Sequence, residues 1–151
     1  MDELPSIINI LLCEDSVTDA QLTLEALRYG TVQNRIHHVR NGEEAMKYLR
    51  REPPYIDVER PDLILLDLNM PRMNGRGVLE AIRSDEDLKV IPIIILTTST
   101  KDEDVIESYG LAANSYIVKP VELDKFFAIV QQVQEFWMDI VKRPAKEESR
   151  Q

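Results

Sequence analysis

Acidic residues stand shortly after two of the most apolar segments of the chain. Glu14 and Asp15 come after the run Ile7–Leu12, and Asp67 follows Leu63–Leu66. Carboxylates brought together repel one another unless a cation neutralises them, and oxygen ligands without histidine or cysteine favour a hard ion such as Mg²⁺. A carboxylate beside such an ion can attack phosphorus, because the metal draws charge from the phosphoryl oxygens. The three acids therefore predict a phosphoryl-transfer site, provided that the fold brings them together.

A hydroxyl and an amine follow two other apolar segments. Thr97 ends a run of isoleucine and leucine, and Lys119 follows a short run of apolar residues. Both side-chain types can contact the oxygens of a phosphoryl group. Each residue alone has an ordinary explanation, since Glu14 and Asp15 could cap a helix and a single lysine is usually solvated. Asp67 is the hardest to explain in this way, because an acid after four apolar residues needs a partner.

The strongest apolar segments do not alternate with polar residues. The runs at 7–12, 63–66 and 93–96 therefore predict strands buried on both faces, as in a parallel sheet. The weaker runs at 36–39 and 116–118 predict edge strands. With amphipathic segments between them, the order βαβαβαβαβα predicts an α/β fold with a doubly wound five-stranded parallel sheet of order 2-1-3-4-5 and helices on both faces. The polar residues described above would meet at the carboxyl edge of this sheet.

Helix-start signals lie between the strands. Asn41, with Glu44 three residues later, has the spacing of a capping pair, and Ser16 or Asp19 can open the first helix. Further helices are predicted over residues 75–83, 102–109 and 122–141. The segment before the third strand, residues 51–61, contains three prolines and is a longer loop than this fold needs.

The size and charge of the chain narrow the classes of function. Its 151 residues suit one domain, which we predict at residues 1–143, followed by a polar tail at 144–151. A net charge of −9 argues against nucleic-acid binding, and no run approaches the roughly 18 apolar residues of a membrane span. The single cysteine, Cys13, cannot form an internal disulfide and lies in an apolar run, so we expect a buried thiol and a cytoplasmic protein.

These residues and their surroundings resemble the motifs of the response-regulator receiver family. The matching motifs, in chain order, are Glu14-Asp15, Leu65-Leu66-Asp67-Leu68-Asn69-Met70-Pro71 with Gly75, Leu96-Thr97 and Tyr116-Ile117-Val118-Lys119-Pro120. Their order and spacing agree with the family over about residues 7–133. The resemblance implies a flavodoxin-like receiver fold and a two-component response regulator without an effector domain. Such a protein is a phospho-acceptor switch rather than an enzyme, because its only chemistry is self-catalysed phosphoryl transfer and autodephosphorylation.

The resemblance also implies a role for each acid at the site. Asp67 looks like the phosphoacceptor, and it would bind Mg²⁺ together with Asp15, which looks like a direct ligand of the ion. Glu14 would act through water, and the backbone carbonyl of Asn69 would complete the metal site.

Other residues of the motifs resemble the family's phosphoryl contacts and its switch. Lys119 would pair with the phosphoryl group, and the peptide bond to Pro120 is expected to be cis. Thr97 and Tyr116 resemble the switch pair, in which the hydroxyl moves to the phosphoryl oxygens and the aromatic ring follows inward. Thr98 is larger than the alanine or glycine often found there, and its bulk can obstruct a water that attacks the phosphoryl group.

A narrower resemblance concerns the partner. The proline-rich loop, the run Thr97-Thr98-Ser99 and the long final helix are similar to those of the small regulators paired with cyanobacterial phytochrome kinases. This implies a histidine kinase of the phytochrome type as the phosphoryl donor, and output through changed contacts with a downstream protein.

Two other functions fit part of the pattern. A Mg²⁺-dependent phosphohydrolase also forms an aspartyl phosphate, and it remains the alternative. Such enzymes usually carry an acid two residues after the nucleophile to protonate the leaving group, where this chain has Asn69. A flavodoxin-like binding module would need a loop rich in hydroxyls and glycine after the first strand, where this chain has Cys13-Glu14-Asp15-Ser16.

The final helix predicts a surface for self-association. Its apolar residues span an arc of ~200°, whereas an ordinary surface helix needs roughly 100°. These residues are Phe126, Phe127, Ile129, Val130, Val133, Phe136, Trp137, Met138 and Ile140. We predict a homodimer through the face built from the fourth helix, the fifth strand and the final helix, because Phe136, Ile140 and Val141 in water would form an exposed apolar patch. The alternative is that this end of the helix folds back on its own domain.

Overall fold

The computed structural model describes residues 7–28, 34–70, 72–97 and 115–118, together with Asp124 and Ala128. Its elements, in chain order, are β1 (Ile8–Cys13), α1 (Val17–Arg28), β2 (Asn34–Val39), α2 (Gly42–Leu49), β3 (Leu63–Asp67), α3 (Gly75–Arg83), β4 (Ile93–Thr97) and β5 (Ser115–Val118). Asp124 and Ala128 are helical, within the predicted final helix. The predicted fourth helix, the rest of the final helix and the polar tail lie outside the described residues.

The five strands form one parallel sheet in the order β2-β1-β3-β4-β5. This confirms the predicted order 2-1-3-4-5, in which β1 and β3 are neighbours at the centre. In this arrangement the carboxyl ends of all strands share one edge, and the crevice beside the switch in strand order is the usual ligand site. No helix in the described ranges is long and apolar enough to cross a membrane.

The burial of each strand follows its place in the sheet. Every residue of β3 is buried, as is every residue of β1 except the half-buried Asn9, and Ile93–Leu96 of β4 are buried as well. By contrast, β2 alternates exposed and half-buried side chains as far as Val39. The three unbroken apolar runs therefore form strands covered on both faces, and β2 is an edge strand, as predicted.

Two apolar clusters cover the two faces of the sheet. Alternate strand residues such as Leu11, Leu66 and Ile95 pack with α2 and α3 on one face, and Leu12, Leu65 and Ile94 pack with α1 on the other. The apolar residues at helical spacing in α1, α2 and α3 are buried, apart from the half-buried Leu24: Ala20, Leu27, Ala45, Met46, Leu49, Val78, Leu79 and Ile82. Hydrophobic spacing thus orients each of these helices correctly.

Side chains cap the helices close to where the sequence predicts. The hydroxyl oxygen of Ser16 accepts a hydrogen bond from the Asp19 N–H (3.2 Å), so Ser16 opens α1 and Asp19 lies inside it. The side chain of Asn41 accepts from the Glu44 N–H (2.8 Å), which confirms the predicted cap of α2. The Glu44 carboxylate in turn accepts from the N–H of Arg40 (3.2 Å), one residue before the cap.

The proline-rich loop at residues 51–61 packs against the edge of the domain. The ring of Tyr55 contacts the rings of His37 on β2 and Tyr48 on α2, with centroid separations of 5.6 and 5.3 Å. Arg35 forms an ion pair with Glu59 (3.0 Å) across the same edge. The extra length of this loop therefore covers the junction between β2 and α2.

Candidate functional site

Three carboxylates meet at the carboxyl edge of the sheet. One oxygen each from Glu14, Asp15 and Asp67 lies within 4.8 Å of the others. Glu14 and Asp67 are buried, with exposed fractions of 0% and 2%, whereas Asp15 is exposed. The structure thus brings together all three acids that the sequence analysis identified. Two of them are buried, and the third is exposed to solvent.

Strand pairing explains why these acids meet. Cys13 at the end of β1 pairs with Leu66 in β3, so the residues that follow, Glu14 and Asp67, emerge side by side. The Glu14 N–H donates to the Val39 carbonyl on the other neighbour of β1 (3.0 Å), which prolongs the ladder by one residue. Adjacent parallel strands that end at the same level therefore position both carboxylates.

The turn from β1 into α1 holds the acidic pair. The Glu14 carboxylate accepts a hydrogen bond from the Ser16 N–H (3.2 Å) at the start of the helix. Carboxylates are favoured near helix N-termini, where the backbone N–H groups point outward. The Nε2 atom of His38, at the end of β2, lies 2.6 Å from the Glu14 carbonyl oxygen. This contact holds the backbone of the turn against the edge strand.

Backbone hydrogen bonds also fix the acid on β3 and the loop that follows it. The Asn69 N–H donates to Oδ1 of Asp67 (3.0 Å), which orients the carboxylate. The Leu68 N–H donates to the Leu96 carbonyl (3.4 Å), and the Gly75 N–H donates to the Leu68 carbonyl (3.0 Å). The loop after Asp67 is therefore tied both to β4 and to the start of α3.

Cys13 lies beneath the acids and responds to their charge. Its thiol is fully buried, as predicted. Burial raises its pKa far above the usual range, and the negative charges of Asp67 and Glu14 raise the pKa further. The thiol therefore stays protonated and unreactive.

The donor set fits a hard divalent cation. It consists of carboxylate oxygens at short mutual distances, which are the ligands that Mg²⁺ and Ca²⁺ take in proteins. A divalent ion would offset the repulsion among acids of which two are buried. Asp15 and Asn69 are exposed, so the cluster opens to solvent on one side. The arrangement can hold a metal ion and also admit a phosphoryl donor.

The remaining predicted site residues are described only in part. Thr97 ends β4 and pairs with Val118, and Tyr116 pairs with Ile95. These pairings put Thr97 on the strand next to Asp67 and Tyr116 on the strand beyond. The side chains of Thr97 and Tyr116, and all of Lys119, lie outside the described residues, so their roles stay predictions.

Sequence reasoning missed two residues that support the site. His38 contacts the Glu14 carbonyl, and Gly42 at the start of α2 lies against the loop after β3, at Met73. No spacing rule points to either residue, because both act through contacts between elements that are distant in the chain. The run from Asn41 to Glu44 identifies the start of a helix but not what that helix touches.

Comparison with known proteins agrees with this fold and site. The family described as "Response regulator receiver domain" matches residues 10–131. The response regulator Rcp1 of Synechocystis sp. is 43% identical over 136 residues, which cover 90% of this chain and 92% of Rcp1. The crystal structure of the phosphorylated cyanobacterial phytochrome response regulator RcpA is 47% identical, with a TM-score of 0.72, and the match covers 87% of this chain and 94% of RcpA.

A metal-bound relative is among the similar structures. The Mn²⁺-bound form of Rcp1 is 43% identical with a TM-score of 0.72, and the match covers 86% of this chain and 94% of that one. The match to the family spans most of the chain, and the predicted motifs lie within it. The chain therefore belongs to the response regulator receiver domain family, whose members act as phospho-acceptor switches.

Proposed function

We propose that Asp67 accepts a phosphoryl group from a phosphohistidine of a histidine kinase, with Mg²⁺ bound beside it. The observation that carries the proposal is the approach of Glu14, Asp15 and Asp67 to within 4.8 Å at the carboxyl edge of a receiver-type sheet. Asp67 is the member of this cluster that ends a central strand, and the Asn69 N–H orients its carboxylate. A buried, oriented carboxylate beside a cation is suited to nucleophilic attack.

The transfer exchanges one bond for another. An oxygen of the Asp67 carboxylate forms a bond to phosphorus, while the bond from phosphorus to the imidazole nitrogen of the donor breaks. The electron pair of that bond stays on the leaving imidazole, and the product on this chain is an aspartyl phosphate. Because such a transfer needs little covalent chemistry from the protein, positioning and charge stabilisation supply most of the rate.

The metal would be held by the residues that the motif implies. Asp15 and Asp67 would bind it directly, Glu14 would act through water, and the backbone carbonyl of Asn69 would complete the set. When bound, Mg²⁺ supplies charge neutralisation at the phosphoryl oxygens. The donor chemistry of the cluster and the Mn²⁺-bound structure of Rcp1 support a divalent ion.

The contacts to the phosphoryl group and the switch are proposed from the motifs. Lys119 and Thr97 would contact its oxygens, and Thr97 with Tyr116 would carry the conformational change. The strand order supports these roles, since β4, which ends at Thr97, lies next to β3, and β5, which carries Tyr116, lies next to β4.

The partners are proposed from the similar proteins. RcpA is a phytochrome response regulator, and we infer that a kinase of the phytochrome type phosphorylates this chain in the cytoplasm. We also propose that residues 1–143 form the receiver domain and residues 144–151 a polar tail. The receiver would form a homodimer through the fourth helix, β5 and the final helix, and would signal through contacts with a downstream protein.

The phosphohydrolase alternative is not favoured. The family match concerns receivers, and the residue two positions after Asp67 is Asn69, which cannot donate a proton as a carboxylic acid would.

Phosphorylation by a small-molecule donor tests the proposal. Wild type, Asp67→Asn and Asp62→Asn are incubated with acetyl phosphate and Mg²⁺, and intact mass is measured. Asp62 is a matched control, because it precedes the amino end of β3 and accepts a hydrogen bond from the Asn9 N–H (2.9 Å) far from the cluster. We expect one phosphoryl group on wild type and on Asp62→Asn and none on Asp67→Asn. Equal uptake by Asp67→Asn would refute the assignment.

A further inference from the structure

The loop between β3 and α3 lies directly against the first turn of α2. We call residues 68–70 and 72–74 the β3–α3 loop. The Glu43 N–H donates to the Arg72 carbonyl (3.1 Å). A Cβ atom on Gly42 would lie 2.7 Å from the carbonyl carbon of Met73 and 2.8 Å from its Cβ, and closer still to its carbonyl oxygen. Real Cβ atoms do not approach other atoms so closely, so this packing requires glycine at position 42.

The loop that α2 supports is strained. Arg72 and Met73 have φ angles of 50° and 71°, in the left-handed region that non-glycine residues rarely adopt. Such residues cost on the order of 1–3 kcal/mol each, and they persist only where the surroundings impose the conformation. The contact with α2 is one such restraint, because it engages the backbone of both strained residues.

A second close approach holds the other end of the loop. The Gly75 N–H donates to the Leu68 carbonyl (3.0 Å). A Cβ atom on Gly75 would lie 2.5 Å from the Leu68 Cα and 3.0 Å from the Asp67 carbonyl carbon. Glycines at the start of two different helices therefore allow close packing against the loop that follows Asp67.

We propose that Gly42 is a positioning residue for the metal and phosphoryl site. Because Gly42 has no Cβ, the Met73 backbone can pack against α2, and this contact fixes the position of the β3–α3 loop. That loop contains Asn69, whose N–H orients Asp67 and whose carbonyl is a proposed metal ligand. The inference rests on the proposed function of Asp67, but it concerns a residue in another element, outside the family motifs that carry the chemistry.

The expected effect follows from the distances. To bring the Met73 carbonyl oxygen to ordinary contact distance from a Cβ at position 42, the loop must retreat by more than about 1 Å, and misplacements of about 1 Å can already cost about 100-fold in function. Mg²⁺ demands near-ideal octahedral geometry, whereas Ca²⁺ tolerates irregular arrangements. A displaced loop should therefore weaken Mg²⁺ binding more than Ca²⁺ binding.

The first test compares two alanine variants of the full chain. Gly42→Ala is matched with Gly77→Ala in α3, where the nearest atom to a new Cβ is Cγ of the flexible Met73 side chain at 3.2 Å. Calorimetric titrations with Mg²⁺ and with Ca²⁺ are run on wild type and both variants. We expect Gly42→Ala to lose about 10-fold or more in Mg²⁺ affinity and less in Ca²⁺ affinity, with Gly77→Ala close to wild type.

The ratio of Mg²⁺ affinity to Ca²⁺ affinity distinguishes a positioning role of Gly42 from an effect on folding stability alone. If Gly42 mattered only for folding, Gly42→Ala would unfold at lower urea concentration, while the folded protein would keep the wild-type ratio. A folded Gly42→Ala with wild-type Mg²⁺ affinity overturns the inference and leaves the proposed role of Asp67 intact. A wild type that binds no Mg²⁺ overturns both.

The second test needs no variant. Glu43 lies in the first turn of α2, where N–H groups lack an intrahelical acceptor, and its N–H is bonded to Arg72 instead. If the metal site and this contact are coupled, Mg²⁺ must slow hydrogen exchange at Glu43, because coupling is reciprocal. Glu44, whose N–H is bonded to Asn41 in the same turn, is the internal control. An exchange rate at Glu43 that Mg²⁺ leaves unchanged overturns the inference, even if Gly42→Ala fails to fold.

Discussion

Replacing Asp67 by asparagine should make the metal-free protein more stable. Asp67 and Glu14 are almost fully buried, and their carboxylate oxygens lie within 4.8 Å of each other. Without a cation, this pair of like charges opposes folding. Asparagine keeps the size of the side chain and an oxygen that can accept the Asn69 N–H, so the change removes the charge and little else.

The distance between the Glu14 and Asp67 carboxylates determines the expected change in the free energy of unfolding. Two unit charges 4.8 Å apart repel by about 3.5 kcal/mol at an effective dielectric constant of about 20. Local relaxation reduces this value, so we expect the free energy of unfolding to rise by about 1–3 kcal/mol in Asp67→Asn. In wild type, Mg²⁺ at ten times its dissociation constant should add about 1.4 kcal/mol, because the ion binds the folded state only. Asp67→Asn should gain much less stability from Mg²⁺ than wild type does.

Urea unfolding at 25 °C measures both quantities. Wild type, Asp67→Asn and the control Asp62→Asn are each unfolded in EDTA and in Mg²⁺. The control alters an aspartate that accepts the Asn9 N–H away from the cluster, so it should lose stability or stay unchanged and should keep the Mg²⁺ response. Two results would contradict the reasoning: a metal-free Asp67→Asn no more stable than wild type, or one that gains as much from Mg²⁺ as wild type does.

Three further predictions concern Asp15, the final helix and His37. Asp15→Ala should remove most Mg²⁺ binding, because a carboxylate of the cluster is lost, and an unchanged affinity by calorimetry would show that the pair is structural. Wild type should sediment as a dimer at tens of micromolar and Phe136→Glu/Ile140→Glu as a monomer, whereas a monomeric wild type would exclude the dimer. Burial lowers the pKa of His37 below 6.5, so its contribution to stability is present above about pH 6.5 and is lost as pH falls through the folded-state pKa. Urea unfolding of wild type and His37→Phe should therefore diverge below about pH 6.5, and curves that stay parallel would show that His37 does not titrate with folding.

Much of the fold could be predicted from local patterns. The unbroken apolar runs at 63–66 and 93–96 indicate strands buried on both faces, and the structure confirms them because a central parallel strand has helices above and below. The caps at Ser16 and Asn41 were also predictable, since a side chain three residues away from its partner N–H needs no tertiary contact.

The acidic cluster could be predicted for a topological reason. Glu14, Asp15 and Asp67 follow strands that the βαβ pattern makes parallel, and right-handed crossovers leave few alternatives to placing β1 beside β3. Position along a strand therefore determines position in space at the carboxyl edge. Which acid is buried is a different matter, because exposure depends on how the turn after β1 packs.

What the sequence by itself determined is the strands and helices of the described ranges, their order and the edge at which the acids meet, since these follow from periodicity and chain direction. Only the tertiary structure decided which backbones approach one another. The contacts of His38 with Glu14 and of Gly42 with Met73, and the packing of Tyr55 on His37, join segments that are far apart in the chain. Such contacts depend on the sub-ångström fit of elements that have already formed, and no spacing of residue types records that fit.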